Sequence, residues 1–169
     1  METPFTKVIQ ENNCRQALEE LNTSMGLNCH AWDTLGKPIL PTIWGNTLCK
    51  AIKSTHLGLL TCASSHKEMT KEAKSSGKSV VRECHAGLLK AVVPVYCEGK
   101  YIGLLGGCGA TPKGRAVNIE YLNELGSKID VSVNELLAQV PSVPEVDKEA
   151  LIEKIENVVM NCRGNCNCV

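Results

Sequence analysis

Residues 88–109 read Leu88-Leu-Lys-Ala-Val-Val-Pro-Val-Tyr-Cys-Glu-Gly-Lys-Tyr-Ile-Gly-Leu-Leu-Gly-Gly-Cys-Gly109, and this stretch decides the fold. Ala91 to Cys97 and Tyr101 to Leu105 are apolar runs carrying β-branched and aromatic residues, the composition of paired strands. Glu98-Gly99-Lys100 between them makes a tight hairpin turn. The second run continues into Gly106-Gly107-Cys108-Gly109, where missing side chains let backbone come close to whatever Cys108 touches. An antiparallel sheet is expected at the centre.

Working toward the N-terminus, Ser79-Val-Val-Arg-Glu reads as another strand, delivering Cys84 at its end. Asn46 to Lys53 reads as a short helix carrying Cys49. Gly58 interrupts, and a longer polar helix is expected from about Cys62 to Ser75, stopped at Gly77. Residues 8–23 suit one amphipathic helix with Val8, Ile9, Leu18 and Leu21 on one face. Leu27 to Asp33 suits a strand, Thr34 to Pro38 a turn, and Ile39 onward a return strand.

After the hairpin the pattern turns helical, around Tyr121 to Ile129, Val133 to Val140 and Asp147 to Met160. The fold class expected is therefore α+β, an antiparallel sheet flanked by helices. The main domain covers residues 1–140. A C-terminal helix lies within 141–160, behind Pro141 and Pro144, and a cysteine-rich tail fills 161–169.

Lysine plus arginine equal aspartate plus glutamate at 18 each, so charge supplies no reason to expect nucleic acid or an anionic membrane. No apolar run has transmembrane length, and the opening residues lack signal-peptide character, which places the chain in the cytoplasm by expectation. In a reducing compartment ten cysteines point to metal binding or redox chemistry rather than disulfides. The plainer alternative is burial, since free cysteine packs well in cores.

Cys49, Cys62, Cys84 and Cys108 are placed by this reading at ends or breaks of elements. Their separations of twelve, twenty-one and twenty-three residues exclude a local zinc finger or ferredoxin-type run. A site built from them has to be assembled by the fold. Four thiolates suit a [4Fe-4S] cluster or tetrahedral zinc. The cluster is preferred, because zinc sites usually draw on closely spaced pairs and the glycine-lined strand suits a bulky group.

Cys62-Ala-Ser-Ser, Cys84-His-Ala-Gly-Leu, Val93-Pro-Val, Gly99-Lys-Tyr-Ile-Gly and Gly106-Gly together resemble the PocR ligand-binding domain over roughly residues 5–140. The resemblance implies a sensory module organised like PAS or GAF domains. Such modules are usually joined to histidine kinases, diguanylate cyclases or DNA-binding regulators and are proposed to sense small hydrocarbon derivatives. Cys49, Cys62 and Cys84 match the family motif, while many members carry glutamine at the place of Cys108. The family often has serine–aspartate after Cys62, where this chain has Ser64-Ser65-His66. The chain reads as a cysteine-rich, stand-alone member. Redox or small-molecule sensing, or electron transfer, follows as the expected function, with a homodimer and a separate effector or redox protein as expected partners.

His85 is an additional candidate ligand, against the plain reading that it packs beside Cys84. His30, His56 and His66 are expected to be surface or structural, and Cys14, Cys29 and Cys97 to serve packing. Cys162, Cys166 and Cys168 form a C-x3-C-x-C tail that could hold a second metal or act as a thiol arm. Two further functions stay open. One is a small-organic-ligand module with structural zinc at the same four cysteines. The other is a cluster- or thiol-dependent enzyme using the tail.

Overall fold

The computed structural model describes residues 4–11 and 13–162. Two helices, α1 (Pro4–Glu11) and α2 (Cys14–Met25), lead into strand β1 (Asn28–Asp33). Helices α3 (Thr47–Ile52) and α4 (His56–Ser76) follow, then strands β2 (Val80–Glu83), β3 (Leu89–Cys97) and β4 (Lys100–Pro112). Helices α5 (Ile119–Ile129) and α6 (Val133–Gln139), the two-residue strand β5 (Glu145–Val146) and helix α7 (Lys148–Cys162) complete the order. The sheet is antiparallel in the order β1-β4-β3-β2, with β5 pairing parallel to the end of β4. This is the α+β, PAS/GAF-like arrangement expected.

The central hairpin forms because Glu98 and Gly99 both take left-handed backbone angles, φ 49° and 76°. That is the two-residue turn whose twist matches paired strands. Pro94 fits inside β3 because β2 pairs only with Leu89 to Val92, so its missing N–H breaks no second ladder. Alternation then gives the sheet two unlike faces. Cys29 and Ala31, Ala91, Val93 and Val95, and Leu105 join the main core against α1, α2 and α7. The opposite face carries Asn28, His30 and Trp32 from β1, Leu104, Gly106 and Cys108 from β4, and Lys90 and Val92 from β3. Met69 and Ala73 of α4 cover part of it, packed on Val92 and Leu104. Helices α3, α5 and α6 make a third cluster around Leu48, Leu122 and Leu136.

Several sequence expectations change. The helix expected over 8–23 is two helices, broken where Asn13 turns left-handed at φ 52°. The return strand from Ile39 is reduced to two isolated bridges, Trp32 with Pro38 and Cys29 with Ile43. Gly58 does not interrupt α4 but lies in its first turn, capped by Thr55, whose Oγ1 accepts from Gly58 N at 3.1 Å. A β-carbon there would stand 1.7 Å from the Ile52 carbonyl oxygen, so glycine is what lets α4 start so close to α3. Cys108 lies mid-strand and Cys62 mid-helix, not at element ends.

Helix α7, set apart in the sequence by two prolines, buries Leu151, Ile155, Val158 and Val159 in the main core. Cys162 closes this helix with 0% exposure and is joined to Cys14 of α2 as a disulfide. It is therefore not part of a tail without a core. The apolar spacing of α7 carries its last turn inward, and the sequence reading ended that helix two residues too soon. Replacing Ile155 with alanine should cost about 2–5 kcal/mol in urea unfolding, the range for deleting a buried aliphatic side chain. Glu153→Ala on the exposed side of α7 should stay within about 0.5 kcal/mol.

Candidate functional site

The polar face of the sheet is organised by strand register. Asn28, Cys108 and Lys90 sit side by side on β1, β4 and β3, forming one row across three strands. His30 stands in the next row beside Gly106, and Trp32 in the one after, beside Leu104. Trp32 packs against two tilted imidazoles, His30 at 4.1 Å and His66 of α4 at 3.8 Å between ring centroids.

Cys49 is brought to Cys108 by Asn46. The Asn46 side chain caps α3, its Oδ1 accepting from Cys49 N at 2.8 Å. Its Nδ2 donates to the Gly109 carbonyl at 2.9 Å, which ties the helix start to β4. The Cys49 and Cys108 thiols lie close enough to couple their ionisation. The neighbouring Cys49 thiol, with His30 and then Lys53 nearby, holds Cys108 below the usual thiol range despite its burial. The Cys108 thiol, together with burial, pushes Cys49 up.

Cys84 occupies the turn between β2 and β3. Its N–H donates to Leu88 O at 2.8 Å, and Gly87 N donates to Cys84 O at 2.8 Å, with Gly87 at φ 71°. This turn aims the N–H groups of Ala86 and Leu88 at the Cys84 sulfur. Burial raises its pKa, and those two donors work against the rise. Cys62, on α4, is pushed up to about 11 by burial, opposed by Lys53 and reinforced by Cys108 and Cys84. His85 bridges, its Nε2 3.7 Å from Cys62 Sγ and its Nδ1 3.2 Å from Ser65 Oγ.

The fold thus brings Cys49, Cys62, Cys84 and Cys108 near enough to shift one another's ionisation. Among the described residues, no three His, Cys, Asp or Glu side chains converge tightly enough to hold one metal ion as they stand. The donor set is nonetheless that of a soft-metal group. Two further features fit one. Among the described residues, buried Asn28 Nδ2, His30 Nδ1 and Nε2, and His66 Nδ1 have no hydrogen-bond partner of good geometry, although His30 lies against the Cys108 thiol. Lys90 is only 6% exposed, and among the described residues no carboxylate pairs with it.

The glycines behave differently from the expectation of an open, glycine-lined space. Gly106 is approached by His30 and Trp32, and Gly107 by Leu27 and Ile155 of the main core. Of the glycines at the end of β4, Gly109 borders the cysteine site, facing Asn28, Asn46 and Cys49. A cleft of about 500 Å³ opens beside the site, lined by Thr61, Ser65, Cys84, His85, Tyr121 and Lys128 among others. The trio Cys62, His85 and Ser65 has the outline of a nucleophile, base and orienter. Yet burial raises the thiol and lowers His85 to about 4, opposite to the shifts that make a thiolate–imidazolium pair.

The sequence reading missed His30, His66, Lys90 and Asn28. Alternation along Asn28-Cys29-His30-Ala31-Trp32 held the signal for two of them, since Cys29 and Ala31 claim the apolar face. Cys29 and Cys97 pack in the main core as expected. Cys166 and Cys168 lie outside the described residues.

Burial holds His66 down to about 3 and His85 to about 4, with Lys90 adding to both. The unfolded chain takes up protons on these histidines below about pH 6.5, whereas the folded chain does not. Stability should therefore be full above pH 7 and fall as pH drops toward 5.5, before carboxylates titrate. Urea unfolding across that window should show the fall, with a shallower slope in His66→Leu.

No curated protein matches the chain. The model of the PocR sensory domain matches residues 7–162, which takes in α7 as well as the sheet. The chain belongs to the PocR sensory-domain family.

Proposed function

We propose that this sensory domain reads its signal through a metal–thiolate group bound by Cys49, Cys62, Cys84 and Cys108, with a [4Fe-4S] cluster as the first reading. One observation carries it: thiols from four separate segments share one neighbourhood, Cys49 bordering Gly109, Cys62 lying 3.7 Å from the His85 that follows Cys84, and Cys108 level with Lys90. Four thiolates around a dication leave a net charge of about −2, and two lysines nearby answer that charge. The N–H groups aimed at Cys84 favour the same ionised sulfur.

A cluster would give the domain a redox or small-molecule response, since cluster integrity and potential depend on solvent, oxidants and hydrogen bonds. Output would pass to a separate effector or redox partner, and homodimers through terminal helices are the arrangement that PAS-like sensors use. Among the described residues, no helix is long and apolar enough to cross a membrane.

The second reading is a small-molecule sensor with structural zinc at the same cysteines. The cleft beside Cys84 and His85 favours it, being the size of a small-ligand site. Anaerobic purification followed by visible spectroscopy and iron, sulfide and zinc analysis separates the two. Brown protein with iron and sulfide is expected, and Cys84→Ser should lose most of both, whereas Cys29→Ala in the main core should keep them. Colourless protein with stoichiometric zinc would replace the cluster by the second reading.

A further inference from the structure

Asn28 is 0% exposed, and its side-chain orientation is set without ambiguity by two backbone donors. Gly45 N and Asn46 N both donate to its Oδ1, at 2.8 and 3.2 Å. A flipped amide would set its NH2 against those two N–H groups. Its Nδ2 is therefore a donor facing the other way, and among the described residues it has no partner. Leaving such a group buried and unpaired costs about 1–3 kcal/mol.

The direction it faces is the cysteine site. Asn28 lies opposite Cys108 in register and so projects from the same sheet face. A β-carbon built on Gly109 would stand 2.5 Å from Asn28 Nδ2 and 3.1 Å from Cys49 Sγ. Both atoms thus border the same small space, which stays open because residue 109 has no side chain and sits at φ 95°. The neighbouring Asn46 amide is already used at both ends, by Cys49 N and Gly109 O.

We infer that Asn28, unpaired in this structure, donates a hydrogen bond to a sulfur of the Cys49–Cys108 pair once a soft metal group holds that pair as thiolate, acting as a positioning residue for the bound form. The inference rests on the proposed thiolate site. Charge-assisted N–H···S bonds of this kind stabilise metal-bound thiolate, and losing such an outer partner commonly weakens metal binding by about 10–100-fold.

Asn28→Asp tests it, because the variant keeps an oxygen for Gly45 and Asn46 but places an acceptor where the donor stood. In the anaerobically purified chain, metal release to a chelator should be at least about tenfold faster than in the wild type. The thiolate-to-metal charge-transfer absorption should also shift, while near-UV circular dichroism shows the fold unchanged. Should that variant not fold, Asn28→Ala removes the donor without adding charge, and its release should be severalfold faster. Wild-type release with an unshifted band in a folded, metal-bound variant would overturn the role of Asn28 alone. A wild-type chain holding neither iron nor zinc would overturn the site reading and this inference with it.

Discussion

Burying Lys90 next to Cys108 in the middle of a sheet governs what the structure can place on that face. A lysine side chain with 6% exposure and no carboxylate partner among the described residues is expensive to bury. The groups around it are not acids but four thiols, three histidines and two asparagines, drawn from β1, β4, α3, α4 and the turn after β2. Burial pushes Cys62 and Cys84 toward their neutral form, against the pull of Lys90.

The rest of the domain holds that face in register. The main core on the other side, with α2 and α7 packed against β3 and β4, is apolar and keeps the strands aligned. Asn46 ties α3 to β4, and Thr55 ties the start of α4 to the end of α5, its Oγ1 donating to Ile129 O at 2.8 Å. Gly58 and Gly109 permit two close approaches that any side chain would block. Cysteines far apart in the chain therefore become neighbours through a few capping bonds and two absent β-carbons. The disulfide between Cys14 and Cys162 stands apart from them, binding the outer helices α2 and α7.

Much of the fold was legible in the sequence because it rests on local rules. The Glu98-Gly99 hairpin, the apolar strands beside it, and the helices ending at Gly77 and Ile129 follow from turn chemistry and periodicity. The errors came where tertiary contacts overrule local signals. Gly58 looked like a break but serves a close approach, and Asn13 looked helical but turns left-handed. The strand expected after Pro38 is reduced to two bridges on the edge of β1 that β4 leaves free.

By itself, the sequence determined the α+β class and the sensory-family motifs, and it proposed Cys49, Cys62, Cys84 and Cys108 rather than Cys29 and Cys97 as site residues. The class depends on residue type and alternation along one chain, and three of those four cysteines come from the family motif. Only the tertiary structure decided which other groups share that face. Asn28, His30 and Lys90 reach it through strand register, and His66 and Cys62 through the way α4 crosses the sheet. Register and helix placement are set by cross-strand pairing and packing between distant segments, which no local pattern encodes.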